Sequence, residues 1–383
     1  MKNSTKIFNS ISQTADYFLT TVSKKEVYNQ LELENRLKKG EKTQEPILII
    51  NYLYDPADSS NILSTEPENQ INIADPLEAE LSAQIVSFLK PTLLHNPFRP
   101  SFRLGCGTGT LLPAFGITLN PELGNVPAGF KSIDELLAMP EPDPVKSGLG
   151  PGMREQIDFI RHNLDNYFKI QLPDMQGPFN LAHSMLGENA FIIPLEQPEK
   201  FHQLLERIVT YWISLREMLI TNIGPQYLDP LYSNRICECS VNLVSSGFYL
   251  EHILPHDLKI AGTTGPIHLH HCSGPHVIET VYTHVPVSSV EAGYIEKTAA
   301  GSASVEKVLA LTAAEKPPVH IGEELPEDFE TAKKIILHHF ELCRERPEST
   351  FAYTGMSWRG RDASRIFTLH EECSRYWNRH WNM

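Results

Sequence analysis

The run Ile267-His268-Leu269-His270-His271-Cys272-Ser273-Gly274 ends an apolar strand in a His-x-Cys pair followed by a glycine. Side chains alternate along a strand with period two, so His268, His270 and Cys272 share one face and His271 takes the other. Imidazole nitrogen and thiolate sulfur both suit a borderline-soft ion such as zinc. A catalytic zinc needs three protein ligands and one open position. Two of the three are visible here. The alternative is a buried cysteine beside a hydrogen-bonded core histidine. Cys237-Glu238-Cys239 is a second pair on one strand face, and it reads first as two core cysteines and second as metal donors.

Eight β-like runs surround these residues: 47–54, 102–106, 167–172, 236–244, 267–272, 285–290, 319–322 and 351–353. Segments of helical period lie between them: 76–89 behind an Asp75 cap, 153–167, 198–223, 248–260, 305–314 and 327–343. Alternation of this kind calls for a parallel sheet covered by helices, and eight units predict a closed (β/α)8 barrel, with an open doubly wound sheet as the competitor. An amphipathic helix over 24–39 precedes the first strand. The expected division is an N-terminal helical extension over 1–45 and the α/β barrel over 46–383. The polar stretch 55–73 reads as a long loop after strand one.

Composition narrows the function. The chain has 383 residues, 41% hydrophobic and 21% charged, enough to bury a sizeable core. A net charge of -14 excludes a phosphate-tracking nucleic-acid surface, which needs clustered Lys and Arg. No apolar run approaches eighteen residues and no leader pattern opens the chain, so no membrane association and a cytoplasmic location are expected. Six cysteines are too few for a disulfide framework.

Leu104-Gly105-Cys106-Gly107-Thr108-Gly109 is spelled like the glycine turn with which Rossmann-type methyltransferases cradle S-adenosylmethionine. Pro113 and Gly116 interrupt the helix that such a turn should open, and 120–124 is loop-like. Gly105, Gly107 and Gly109 are instead expected at the top of strand two, where they let backbone approach a cofactor.

The central third carries a resemblance. Gln176-Gly177-Pro178-Phe179-Asn180-Leu181-Ala182, Met185-Leu186-Gly187 and the helix start Pro198-Glu199-Lys200-Phe201 come first. Ser245-Ser246-Gly247-Phe248-Tyr249-Leu250-Glu251 with Leu254-Pro255, and then His270-His271-Cys272-Ser273-Gly274, follow in order. Together they resemble the uroporphyrinogen decarboxylase superfamily, and the His-x-Cys-x-Gly resembles its corrinoid-linked methyltransferase branch. The likeness spans roughly 95–360 and implies the barrel.

The decarboxylase branch clamps propionates with an N-terminal Arg-Gln-Ala-Gly-Arg segment that this chain lacks. Its tyrosine after Leu-Ala is replaced in Leu181-Ala182-His183-Ser184, and its late Gly-His-Gly falls on Tyr353-Thr354-Gly355-Met356. The methyltransferase branch implies Zn²⁺ on His270, Cys272 and a late cysteine, turning a small thiol or folate-type acceptor into a nucleophile for a methyl group carried by a corrinoid on a partner protein. The late cysteine is missing near 354–358. Glu291, Glu323 and His284 are the candidate replacements, with Glu291 taken as the third metal ligand. Asn180, Asn242 and Glu323 are assigned to orienting the substrate. The alternatives are a decarboxylase of altered substrate and a non-catalytic barrel that binds a tetrapyrrole or corrinoid.

Overall fold

The structure is a computed structural model that describes residues 7–22, 24–38, 47–51, 70–93, 98–123, 125–229, 233–270, 275–292, 305–313, 317–346, 349–354 and 363–380. Besides two small two-stranded sheets, Ile7–Phe8 with Gln70–Ile71 and Leu119–Asn120 with Val126–Pro127, eight strands follow in chain order: β1 (Ile47–Asn51), β2 (Ser101–Arg103), β3 (Lys169–Gln171), β4 (Arg235–Cys237), β5 (Ile267–His270), β6 (Val287–Ala292), β7 (Val319–Glu324) and β8 (Thr350–Thr354). Each falls within or beside one of the eight runs expected from sequence. The loop expected over 55–73 lies mostly outside the described residues.

Six strands form one parallel sheet in the order β1-β8-β7-β6-β5-β4, and β2 pairs β3 in parallel. Past the end of β3 the chain pairs onto β4 through a parallel bridge between Gln176 and Cys237. The neighbour relation β1 to β2 has no ladder among the described residues. The architecture is therefore α/β with a parallel central sheet and many helices. No described helix is long and apolar enough to cross a membrane.

Helices cover the outer face of the strands. Leu48, Val290, Ile321 and Phe351 point outward into one core with Ile336, Phe340 and Trp377. Phe102, Ile170, Ile236 and Leu269 point into a second, larger one. The longest helix, Pro198–Ile223, has proline in its first turn and buries Phe201, Leu204, Leu205, Ile208, Trp212, Leu215 and Leu219 at helical spacing. A helix at Pro76–Leu93 starts where expected, with Asp75 Oδ1 accepting from Glu78 N at 2.8 Å. The N-terminal helix Ile11–Thr21 joins the same core, with Phe18 packing on Tyr167 and Phe168 at ring distances of 6.3 and 5.4 Å.

Two elements differ from the sequence reading. The run 236–244 is extended only to Cys237, because Glu238 leaves the strand at φ -116°, ψ 43° and a 3-10 turn follows over Cys239–Leu243. The helix expected over 248–260 is interrupted by a π turn at Tyr249–Ile253 before Leu254–Thr264 continues. Pro255 cannot donate to the carbonyl four residues back and its ring crowds that carbonyl, and a widened turn relieves both.

Candidate functional site

Opposite the aliphatic outer face, the inner face of β4 to β7 is polar. Arg235 and Cys237 on β4 pair in register with His268 and His270 on β5, and β6 adds Ser289 and Glu291. Stability alone would fill such positions with branched aliphatic residues, so this polar row marks a site.

Glu291 is its hub. His268 Nε2 donates to Glu291 Oε1 at 2.7 Å, Arg235 Nε donates to the same oxygen at 2.9 Å, and His270 Nδ1 bonds Oε2. Burial alone would raise the Glu291 carboxyl, but the bonds from His268 and His270 and the charges of His270 and Arg235 outweigh it and hold the group well below the usual carboxylate range. His268 Nδ1 meets Ser289 Oγ at 2.6 Å, and the His320 ring lies 4.8 Å from the His268 ring. Burial, with the neighbouring His268, pushes His320 down to about 3, so it stays neutral near neutral pH.

A second carboxylate, Asp174, completes the row. It accepts from Arg235 Nη1 at 3.0 Å and from the Cys237 thiol at 2.8 Å, and it lies 3.2 Å from Arg103 Nη2. Burial pushes the Cys237 thiol well above its ordinary value. The Arg235 charge opposes that shift and Asp174 adds to it.

The residues expected from sequence fall around this row in different ways. His270 and Glu291 are bonded to each other. Cys272 lies outside the described residues, as does His271. Glu323 sits in β7 opposite Tyr353 in register, and its side chain is not described. Asn180 spends its amide on one side chain and two backbone groups: Nδ2 donates to Gln176 Oε1 and to Cys237 O, each at 2.8 Å, and Oδ1 accepts from Ser240 N at 2.7 Å. It braces the end of β4. Asn242 is half-buried in the 3-10 turn after β4. His284 is exposed at the end of the helix Pro275–His284, with Nδ1 on Thr280 O.

Gly105 and Gly107 follow β2 with φ of 79° and 81°, the left-handed region that favours glycine. The turn leads into short 3-10 segments and not into an α-helix whose N-terminus can face a pyrophosphate. At Gly109 a Cβ would come within 2.3 Å of Asn125 O, whereas among the described residues a Cβ on Gly107 meets nothing within 4 Å. Packing accounts for Gly109, and no described residue crowds Gly107.

Sequence reasoning missed Arg235, Asp174, Ser289 and His320. Each sits in an apolar run or an ordinary loop, and only the strand register brings them together.

No family model and no curated protein matches the chain. Among solved structures it is similar to a methyltransferase from Methanosarcina mazei, at 14% identity and a TM-score of 0.59, over 89% of this chain and 97% of that one. The likeness is one of fold, and it extends over nearly the whole of both chains.

Proposed function

We propose that this chain is a zinc-dependent methyltransferase of the uroporphyrinogen decarboxylase superfamily, moving a methyl group between a corrinoid on a partner protein and a small thiol or folate-type acceptor. Its strands would close as a (β/α)8 barrel over 46–383, with 1–45 as the helical extension. The observation that carries the reading is the bond between His270 Nδ1 and Glu291. Metal-bound histidines nearly always give their other ring nitrogen to a carboxylate or carbonyl, which fixes ring and tautomer. With Nδ1 so engaged, Nε2 would be the nitrogen offered to a metal.

Glu291 then acts as the orienting carboxylate and not as the third ligand, since its two oxygens already serve His268, Arg235 and His270. Among the described residues no three His, Cys, Asp or Glu form a ready-made metal cage. Cys272 lies outside them, and the sequence puts it two residues beyond His270 on the same strand parity. When bound, zinc would supply the positive charge that keeps an acceptor thiol ionised near neutral pH. Arg235 holds Glu291 in place, Asn180 fixes the end of β4, and Asn242 and Glu323 are retained as substrate-orienting candidates. Gly107, crowded by no described residue, would offer backbone against which a cofactor rests.

A second reading, a decarboxylase of altered substrate, is favoured by Arg103. Its side chain is 44% exposed beside Asp174, where a carboxylate could meet it. Incubation with methylcobalamin and a thiol separates the two: methylated thiol appears on the first reading and not on the second.

A further inference from the structure

We propose that Arg103 binds a carboxylate of the substrate, so that the methyl acceptor is an anionic small molecule and not a neutral or cationic one. The inference rests on the methyl-transfer reading above, in which that carboxylate is a handle that survives the reaction. Arg103 is the last residue of β2, and its neighbour Phe102 packs into the outer core, so strand alternation puts Arg103 on the inner face. Contacts run from it along the polar row: Arg103 to Asp174 at 3.2 Å, Asp174 to Arg235 at 3.0 Å, Arg235 to Glu291 at 2.9 Å, and Glu291 to His270. Arg103 therefore stands at the opposite end of the row from His270.

The other charges in this chain of contacts are committed to one another. Arg235 is 15% exposed and spends Nε on Glu291 and Nη1 on Asp174. Arg103 is 44% exposed, and among the described residues its ion pair with Asp174 is its one charged contact. A guanidinium presents five N–H donors in a planar fork, and a single contact through Nη2 leaves most of them to water or to a ligand. Asp174 also holds the Cys237 thiol at 2.8 Å, which anchors the carboxylate that positions Arg103. Two arginines match two carboxylates here, so an incoming anion meets no net negative charge from these four groups, although the whole chain carries -14. Gly107, four residues further on at the same strand end, is crowded by no described residue. Arg207 and Arg346, by contrast, spend their guanidinium groups on backbone carbonyls and brace loops.

A carboxylate accepts two parallel N–H bonds from a guanidinium, a pairing stronger than neutral hydrogen bonds and specific in geometry. A neutral acceptor leaves Arg103 to water and forgoes those bonds. Because Arg103 is partly screened by solvent, the preference should lie near the lower end for charged pairs, about 10-fold.

Methyl transfer from methylcobalamin to 3-mercaptopropionate and to 2-mercaptoethanol tests this on wild type, Arg103→Gln and Arg103→Lys. Wild type should favour the acid about 10-fold in kcat/KM. Arg103→Gln should raise KM for the acid by that factor, hold kcat and leave 2-mercaptoethanol unchanged. Arg103→Lys, which keeps the charge without the fork, should fall between. Equal use of the two thiols by wild type, or an equal loss for both in Arg103→Gln, overturns the inference and leaves methyl transfer standing. If neither thiol is methylated, the methyl-transfer reading fails by itself, and saturation-transfer NMR of 3-mercaptopropionate decides the anion subsite. A signal in wild type that Arg103→Gln loses supports the subsite, and no signal, or an equal one in both, overturns it.

Discussion

His268 and Glu291, on adjacent strands, share a 2.7 Å hydrogen bond, and the same carboxylate holds Arg235 and His270. Glu291→Gln keeps the shape but removes the charge, leaving the half-buried Arg235 with Asp174 as its remaining carboxylate partner in the row. Breaking a buried ion pair in this way costs about 3–5 kcal/mol, and loss of the orienting carboxylate weakens metal binding about 10- to 100-fold. Thermal unfolding and zinc competition on the variant measure the two effects. Unchanged values in both would remove Glu291 from its central place.

Asp257 gives a pH prediction away from the inner face. Burial raises its carboxyl to about 7 from 3.8, although the Tyr249 hydroxyl, 2.8 Å away, and a hydrogen bond shared with the Glu238 carboxyl pull the other way. A carboxyl raised in the folded state contributes stability that is complete below its unfolded pKa and is lost as pH rises through the folded one. Wild type should therefore lose stability from this group between about pH 4 and pH 7. Asp257→Asn resembles the protonated form, so its advantage over wild type should grow across that window to on the order of 2–4 kcal/mol at pH 8. Denaturant midpoints at pH 5 and pH 8 test it, and an equal difference at both would contradict the assignment.

The glycine turn separates packing from binding. Gly109→Ala puts a methyl against Asn125 O and should cost roughly 1–3 kcal/mol. Gly107→Ala meets no atom of the described residues, and its positive φ opposes it, at about 1 kcal/mol. Unfolding curves of the two variants should rank in that order. Tight calorimetric binding of S-adenosylmethionine that Gly107→Val abolishes would favour the Rossmann-type reading of this turn instead.

The fold was legible because strands and helices announce themselves locally. All eight β-like runs contain or abut a strand, and the helix Pro198–Ile223 matches its expected limits, set by an N-terminal proline and a following glycine. Departures came where tertiary contacts override pattern. Val241 and Val244 made 236–244 look extended, but Asn180 captures Ser240 N and turns the chain after Cys237. The site was half legible. His270 stood out by its spacing to Cys272, while Arg235 and Asp174 reach their partners across 56 to 63 residues, a relation that no local pattern encodes.

His270 and Cys272 are expected to hold a metal together, and zinc per chain measures that. Protein purified without chelators is assayed for zinc beside Cys272→Ser, with the thermal midpoint recorded for both. A serine hydroxyl does not ionise near neutral pH to replace a thiolate. About one zinc per wild-type chain is expected, with most of it lost in the variant and the fold retained. A wild type without zinc, or a variant that keeps it and loses only the roughly 1–3 kcal/mol of a buried hydroxyl, would contradict the claim.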